Sequence, residues 1–269
     1  MTDRSDSDIT VSESDKLEVK ELTKRYRAVT ALDGVSFTAS RGEVTGYLGP
    51  NGSGKSTTVK ILTGLLSSSQ GSVYWNGDRI TDNLIEYKRV VGYVPEEPYL
   101  YSYLTGAEYL EMVGDLRGIP SAKLRHKMAE FLRLFSLYGD RFTPLSSYSK
   151  GMRQKILIAG ALLHNPEIVI LDEPFSGLDV SSAMVLRRLI QALAETGKVV
   201  LYSSHVLEVV EHVCARVVIL HKGKVVANDT VDHLRELMSL PSLEEIFSQL
   251  AVEQDIDRVA AELVETVQM

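Results

Sequence analysis

The sequence predicts an α/β fold: a mixed sheet built around a phosphate-binding loop, with an antiparallel β subdomain at the N-terminal end and a helical insert. Three observations predict it. The stretch Gly49-Pro50-Asn51-Gly52-Ser53-Gly54-Lys55-Ser56-Thr57 fits the pattern G-x-x-x-x-G-K-[ST] at every fixed position. It follows an apolar run, Val44-Thr45-Gly46-Tyr47-Leu48, and leads into helix-forming residues, which is the strand-loop-helix context that the pattern requires. Short apolar runs recur at Val90-Val91-Gly92-Tyr93-Val94, Ile168-Val169-Ile170-Leu171 and Val199-Val200-Leu201-Tyr202, as buried strands do. Finally, 269 residues with 44% apolar content suffice for one large α/β domain, or for a core with a smaller lobe.

The loop explains the sheet's chemistry. Glycines 49, 52 and 54 let the backbone curl so that successive N–H groups point inward, and the helix that follows adds its partial positive charge. In such a nucleoside triphosphate cradle Lys55 reaches the β and γ phosphates, and Ser56 offers its hydroxyl to Mg²⁺. This is the core of a P-loop NTPase. Composition narrows the partners: the net charge is -7 and no Lys/Arg stripe suits a nucleic-acid backbone, so no nucleic-acid partner is expected. The single cysteine, Cys214, excludes an internal disulfide and reads as a small buried apolar side chain in a reducing cytosol. Without an apolar run approaching about 18 residues, membrane contact is expected only through a partner.

Residues 1–15, rich in serine and acid, are expected to be a disordered tail. From Leu17 to Ser40 alternating residues predict antiparallel strands, with turns near Asp33-Gly34 and Arg41-Gly42. Tyr26 lies between them. Val73-Tyr74-Trp75 followed by Asn76-Gly77 predicts a hairpin. Thr105-Gly106-Ala107-Glu108 is a capping box that opens a helix, and Gly118-Ile119-Pro120 stops it. Residues 96–165 read as the helical insert. Its last helix opens at Tyr148-Ser149-Lys150-Gly151-Met152, where Ser149 and the Gly151 backbone fit an anion site and an ordinary cap equally well.

The apolar strand at Ile168 ends in Asp172-Glu173, and buried carboxylates need a compensating partner. Mg²⁺ held by Asp172, with Glu173 as general base toward water, supplies one. Asp179 suits the cap of the next helix, whose apolar positions are read as Met184, Leu186, Leu189, Ile190 and Leu193. His205 follows the Val199 strand at the sheet edge where open α/β sheets bind ligands; a γ-phosphate contact and a structural role both fit it. Val217–Leu220 and Val225-Val226 flank a closing hairpin, and short amphipathic helices beyond Asp229 form an appendage at 229–269.

Tyr26, the phosphate loop, Glu96 after Pro95, the Ser149 segment, Leu171-Asp172-Glu173-Pro174 with Ser176-Gly177-Leu178-Asp179, and His205 stand in one order. This order resembles the ATP-binding-cassette (ABC) ATPase subunit over residues 17–228. The resemblance implies that Tyr26 stacks on the base of ATP and that two such domains dimerise head to tail. Each ATP is then clamped between the loop of one copy and the Ser149 helix, with Gly151, of the other, and Asp179 is counted among the nucleotide-binding residues. It also implies an integral membrane permease as partner, holding the subunit at the inner face of the cell membrane. Two motifs depart from the commonest pattern: Glu96 stands where Gln usually reaches the metal, and in the Ser149 motif Lys150 and Met152 replace a Gly and a Gln. These variants, with Ser242-Leu243-Glu244-Glu245-Ile246-Phe247, resemble the exporter-type subgroup with a separate permease. The competing readings are a soluble cassette ATPase of an assembly machinery, such as iron-sulfur cluster assembly, and a silent ATP sensor, which would not need Glu173.

Overall fold

The computed structural model describes residues 16–97, 99–204, 207–240, 242–251 and 263–267. The expectations for the tail 1–15 and for His205 lie outside the described residues. In chain order, β1 (Lys16–Tyr26), β2 (Val29–Ser40), β3 (Val44–Leu48), α1 (Lys55–Leu62), β4 (Gln70–Trp75), β5 (Asp78–Arg79), α2 (Leu84–Val90) and β6 (Val91–Val94) come first. The helices α3 (Gly106–Leu116), α4 (Ser121–Leu134) and α5 (Lys150–Leu162) follow. Then come β7 (Ile168–Asp172), α6 (Val180–Glu195), β8 (Val199–Ser203), α7 (Leu207–Val213), β9 (Arg216–His221), β10 (Lys224–Thr230), α8 (Val231–Met238) and α9 (Leu243–Ala251).

Two sheets result, one antiparallel in the order β2-β1-β4-β5 and one of six strands in the order β10-β9-β3-β8-β7-β6. In the six-stranded sheet the neighbours from β6 to β9 run parallel, and β10 closes the edge antiparallel. Every residue of β3, β7 and β8 is buried, because both faces of the sheet are covered. Alternate side chains divide between the covers. Ile168 and Ile170 face the antiparallel lobe with Tyr47, Leu201 and Val218, whereas Val169 and Leu171 face α6 with Leu186 and Ile190. Leu110, Leu124, Leu132, Leu145 and Ile156 build a third core inside the α3–α5 insert.

Several local expectations change form. Asp33-Gly34, expected as a turn, lies inside β2, where the pairing shifts between Val19–Phe37 and Leu22–Val35. Gly34 has φ +67°, a conformation that a β-bulge uses as readily as a turn does. On α6, Leu186 and Ile190 are buried, but Met184 is 66% exposed, so the apolar face is narrower than read. The break expected after residue 228 falls inside β10, which runs to Thr230. Leu243 and Ile246 of α9 are fully buried with Val217 and Ile219, each such side chain stabilising by about 2 kcal/mol. Among the described residues no helix is long and apolar enough to cross a membrane.

Candidate functional site

Because β6, β7, β8 and β3 are parallel, their C-terminal ends meet at one edge of the sheet, where Asp172 pairs in register with Ser203 and Leu171 with Val94. The phosphate loop leaves β3 at this edge. Inside the loop the Ser53 N–H donates to the Pro50 carbonyl (3.1 Å), and the Thr58 N–H donates to the Gly54 carbonyl (3.0 Å), opening α1. Gly54 occupies the N-cap at φ +110°, and a Cβ there would lie 2.7 Å from the Ala31 carbonyl. No side chain caps α1, so its first-turn N–H groups are left for another acceptor. From behind, the β9–β10 turn braces the loop, the Gly223 N–H donating to the Ser53 carbonyl at 3.0 Å. The Tyr47 hydroxyl ties β3 to α1 through Thr58 Oγ1 at 2.9 Å.

A cavity of about 420 Å³ opens on the loop. Asn51, Gly52, Gly54, Lys55, Ser56 and Thr57 line one side, and Glu96, Asp172 and Glu173 line the other. Gly49, Pro50 and Ser53 form the base of the loop and do not line the cavity. Lys55 is buried and donates through Nζ to the Gly49 carbonyl at 2.6 Å and to the Pro50 carbonyl at 3.3 Å. Burial pushes its pKa down, against the opposing charges of Glu173, Asp172 and Glu96. Asp172 is 5% exposed, and burial pushes its pKa up to about 6; Ser203 opposes that shift, while the Glu96 and Glu173 charges add to it.

Glu173 has φ +48°, left-handed for a non-glycine residue, at a cost of about 1 kcal/mol or more. Its N–H donates to the Ser203 carbonyl at 2.9 Å, and Ser204 Oγ donates to its Oε2 at 3.2 Å. The chain therefore bends at Glu173 to bring that carboxylate round to the cavity. Among the described residues no group of three or more His, Cys, Asp or Glu side chains is arranged to hold a metal by itself. Oxygen donors facing an anion cradle suit Mg²⁺, which takes one or two protein ligands and completes its shell with phosphate oxygens and water.

Ser149 and Asp179 lie elsewhere. Ser149 caps α5, accepting from the Met152 N–H at 3.2 Å, and Asp179 caps α6, accepting from the Ser182 N–H at 2.9 Å. That backbone hydrogen bond from Ser182 holds the Asp179 carboxyl below its usual range. Both residues are exposed, and neither they nor Gly151 line the cavity. Tyr26 ends β1 at 44% exposure with the Lys24 ammonium 5.2 Å from its ring centre, also outside the cavity lining. Sequence reasoning missed Ala31, a strand residue at the cavity with no chemical signature, and Gln154, a fully buried polar residue of α5.

An open α/β sheet with a phosphate loop and carboxylates across one cavity defines a nucleoside triphosphatase of the P-loop class. Comparison with known proteins narrows that class. The family model described as "ABC transporter" matches residues 32–176. An uncharacterized ABC transporter ATP-binding protein of Nostoc sp. is 38% identical over 243 residues, covering 87% of this chain and 72% of that one. A solved ATP-binding subunit of an ABC transporter superposes with TM-score 0.82 at 37% identity, covering 87% of this chain and 98% of that one. Another solved cassette, a dimer in a post-hydrolysis state bound to ADP and Pi, gives TM-score 0.74 at 27% identity, covering 80% and 98% respectively. The chain belongs to the ABC transporter family of ATP-binding ATPases. The assembly-machinery alternative is not favoured.

Proposed function

We propose that this chain energises a separate membrane permease by hydrolysing ATP in a dimer of two copies. The observation that carries the reading is the split between the buried cavity and the exposed caps. One copy supplies the loop, Lys55, Asp172 and Glu173, whereas Ser149, Gly151 and Asp179 stay out of that copy's cavity and are free to meet the nucleotide of a second. The loop N–H groups and Lys55 bind the β and γ phosphates, and Tyr26 stacks on the base. Ser56, Asp172 and Glu96 would hold Mg²⁺, whose charge would offset that of the phosphates. Glu173 takes a proton from water; the water oxygen bonds to the γ phosphorus, the bond to the bridging oxygen breaks, and ADP and phosphate leave. His205 is assigned to the γ phosphate.

We assign the permease contact to Tyr99, Tyr101 and Tyr103, in the stretch just after Glu96. These residues are 87%, 54% and 75% exposed, whereas Leu100 among them packs against the core, so the stretch offers tyrosine surface to a partner. Replacing Tyr99 and Tyr101 with Ser should leave the domain folded and binding ATP while the protein moves from membrane to cytosolic fractions. If the double variant stays on membranes and supports transport as wild type does, the contact lies elsewhere. If wild type itself never associates with membranes in its native cell, the transport reading fails.

A further inference from the structure

We propose that Gln154 is a positioning residue that latches the first turns of α5 to the loop after Glu173, linking the two ATP sites of the dimer that the preceding reading describes. Gln154 is 0% exposed, and a helix seldom buries an unpaired amide there. Its Nε2 donates at 3.2 Å to the carbonyl of Pro174, the residue next to Glu173, while its Oε1 is buried without a hydrogen-bond partner among the described residues. The amide thus makes one bond, and that bond crosses from α5 to the loop that carries the general base. Had the chain needed only to fill this space, an apolar side chain of the same volume would have avoided the unpaired oxygen.

The contact continues toward the tip of the helix. A Cβ on Gly151 would lie 2.5 Å from the Gly177 carbonyl, and a Cβ on Gly177, whose φ is +77°, would lie 2.8 Å from Lys150 Cγ. The helix turn and the loop are therefore pressed backbone to backbone, with Gln154 as the hydrogen bond behind the contact. The loop is also fastened at its start to β8 through the Glu173 N–H and at its end to α6 through the Asp179 cap. A nucleotide of the second copy that pulls on Ser149 moves a rigid unit, and the end of that unit is this copy's own Glu173.

Two substitutions on the full-length chain test the latch. Gln154→Met keeps the volume and removes the donor, and Gly177→Ala, at an exposed position, wedges the same contact from the loop side. The readouts are nucleotide affinity of the single copy by fluorescent ATP analogue, thermal stability, and ATPase rate against ATP concentration. Both variants should hold ATP within about twofold of wild type and lose about tenfold in maximal rate, the scale of one buried hydrogen bond. Their rate curves should also become hyperbolic where wild type is sigmoidal, and Gln154→His, which retains a ring N–H, should recover part of the rate. Sigmoidal curves at the wild-type maximal rate in both variants would overturn the latch, as would a loss of affinity and stability in step with rate, which marks a merely structural residue. Should Gln154→Met not fold, Gly177→Ala decides. A wild type that hydrolyses ATP hyperbolically and never dimerises would instead overturn the dimer reading itself.

Discussion

The N-termini of α1 and α5 make an instructive pair, since both are read as contacts for one nucleotide and they are finished in different ways. At α1 no side chain caps the helix, the first-turn N–H groups open on a cavity, and three carboxylates face them. At α5 Ser149 caps the helix itself, the turn is exposed, and it lies outside the cavity. One end opens on a cavity lined by carboxylates of its own chain; the other is an exposed cap outside that cavity. A helix N-terminus thus gains a pocket only from what the rest of the fold sets against it, and in the proposed dimer that counterpart for α5 is a second copy.

The largest effect is expected at Lys55. Lys55→Ala removes the ammonium at the cavity end, and ATPase activity of the purified protein should fall by at least about a hundredfold. Ser149→Arg, at the open end, should cost about 1 kcal/mol of capping and leave the single copy's affinity for ATP near wild type while lowering the maximal rate. Wild-type turnover by Lys55→Ala, or loss of single-copy binding by Ser149→Arg, would break the division between the two ends.

A smaller effect belongs to the far end of α5. His164 lies just past its C-terminus with Nε2 3.0 Å from the Val91 carbonyl, and its pKa falls to about 4, through burial first and then the charge of Arg117. The folded protein therefore keeps His164 neutral where the unfolded chain protonates it near pH 6.5. Stability from this group is complete above pH 6.5, declines as pH falls toward 4 and levels off below. With the ring partly exposed, the loss is on the order of 2 kcal/mol. Denaturant titrations of wild type and His164→Gln between pH 7 and 4 should show the flatter dependence in the variant; parallel curves would remove His164 from the account.

What the sequence made legible was whatever its residue pattern fixes locally. The phosphate loop needs glycines and Lys-Ser at set spacings, and Thr105 and Glu108 form the expected reciprocal cap, with the Glu108 N–H donating to Thr105 Oγ1 at 3.2 Å and the Thr105 N–H to Glu108 Oε2 at 2.8 Å. Asn76-Gly77 turns between β4 and β5 as read. What stayed hidden depends on distant partners. Gly34 suits a turn or a bulge, and only pairing with β1 decides between them. Gln154 and the left-handed Glu173 leave no local sign, because one is defined by a carbonyl twenty residues away and the other by the carbonyl of Ser203 on β8. The depth of α9 in the core likewise depends on β9 and α7, which precede it by many residues.

The central claim, that the open end at Ser149 completes the cavity of a second copy, is tested most directly by sedimentation of Glu173→Gln. This variant keeps Lys55 and Asp172 and loses only the base, so it should bind Mg-ATP without consuming it. Glu173→Gln should be a monomer without nucleotide and a dimer with excess Mg-ATP, reverting to monomer when Ser149→Arg is added. A Glu173→Gln protein that binds Mg-ATP and still sediments as a monomer would contradict it.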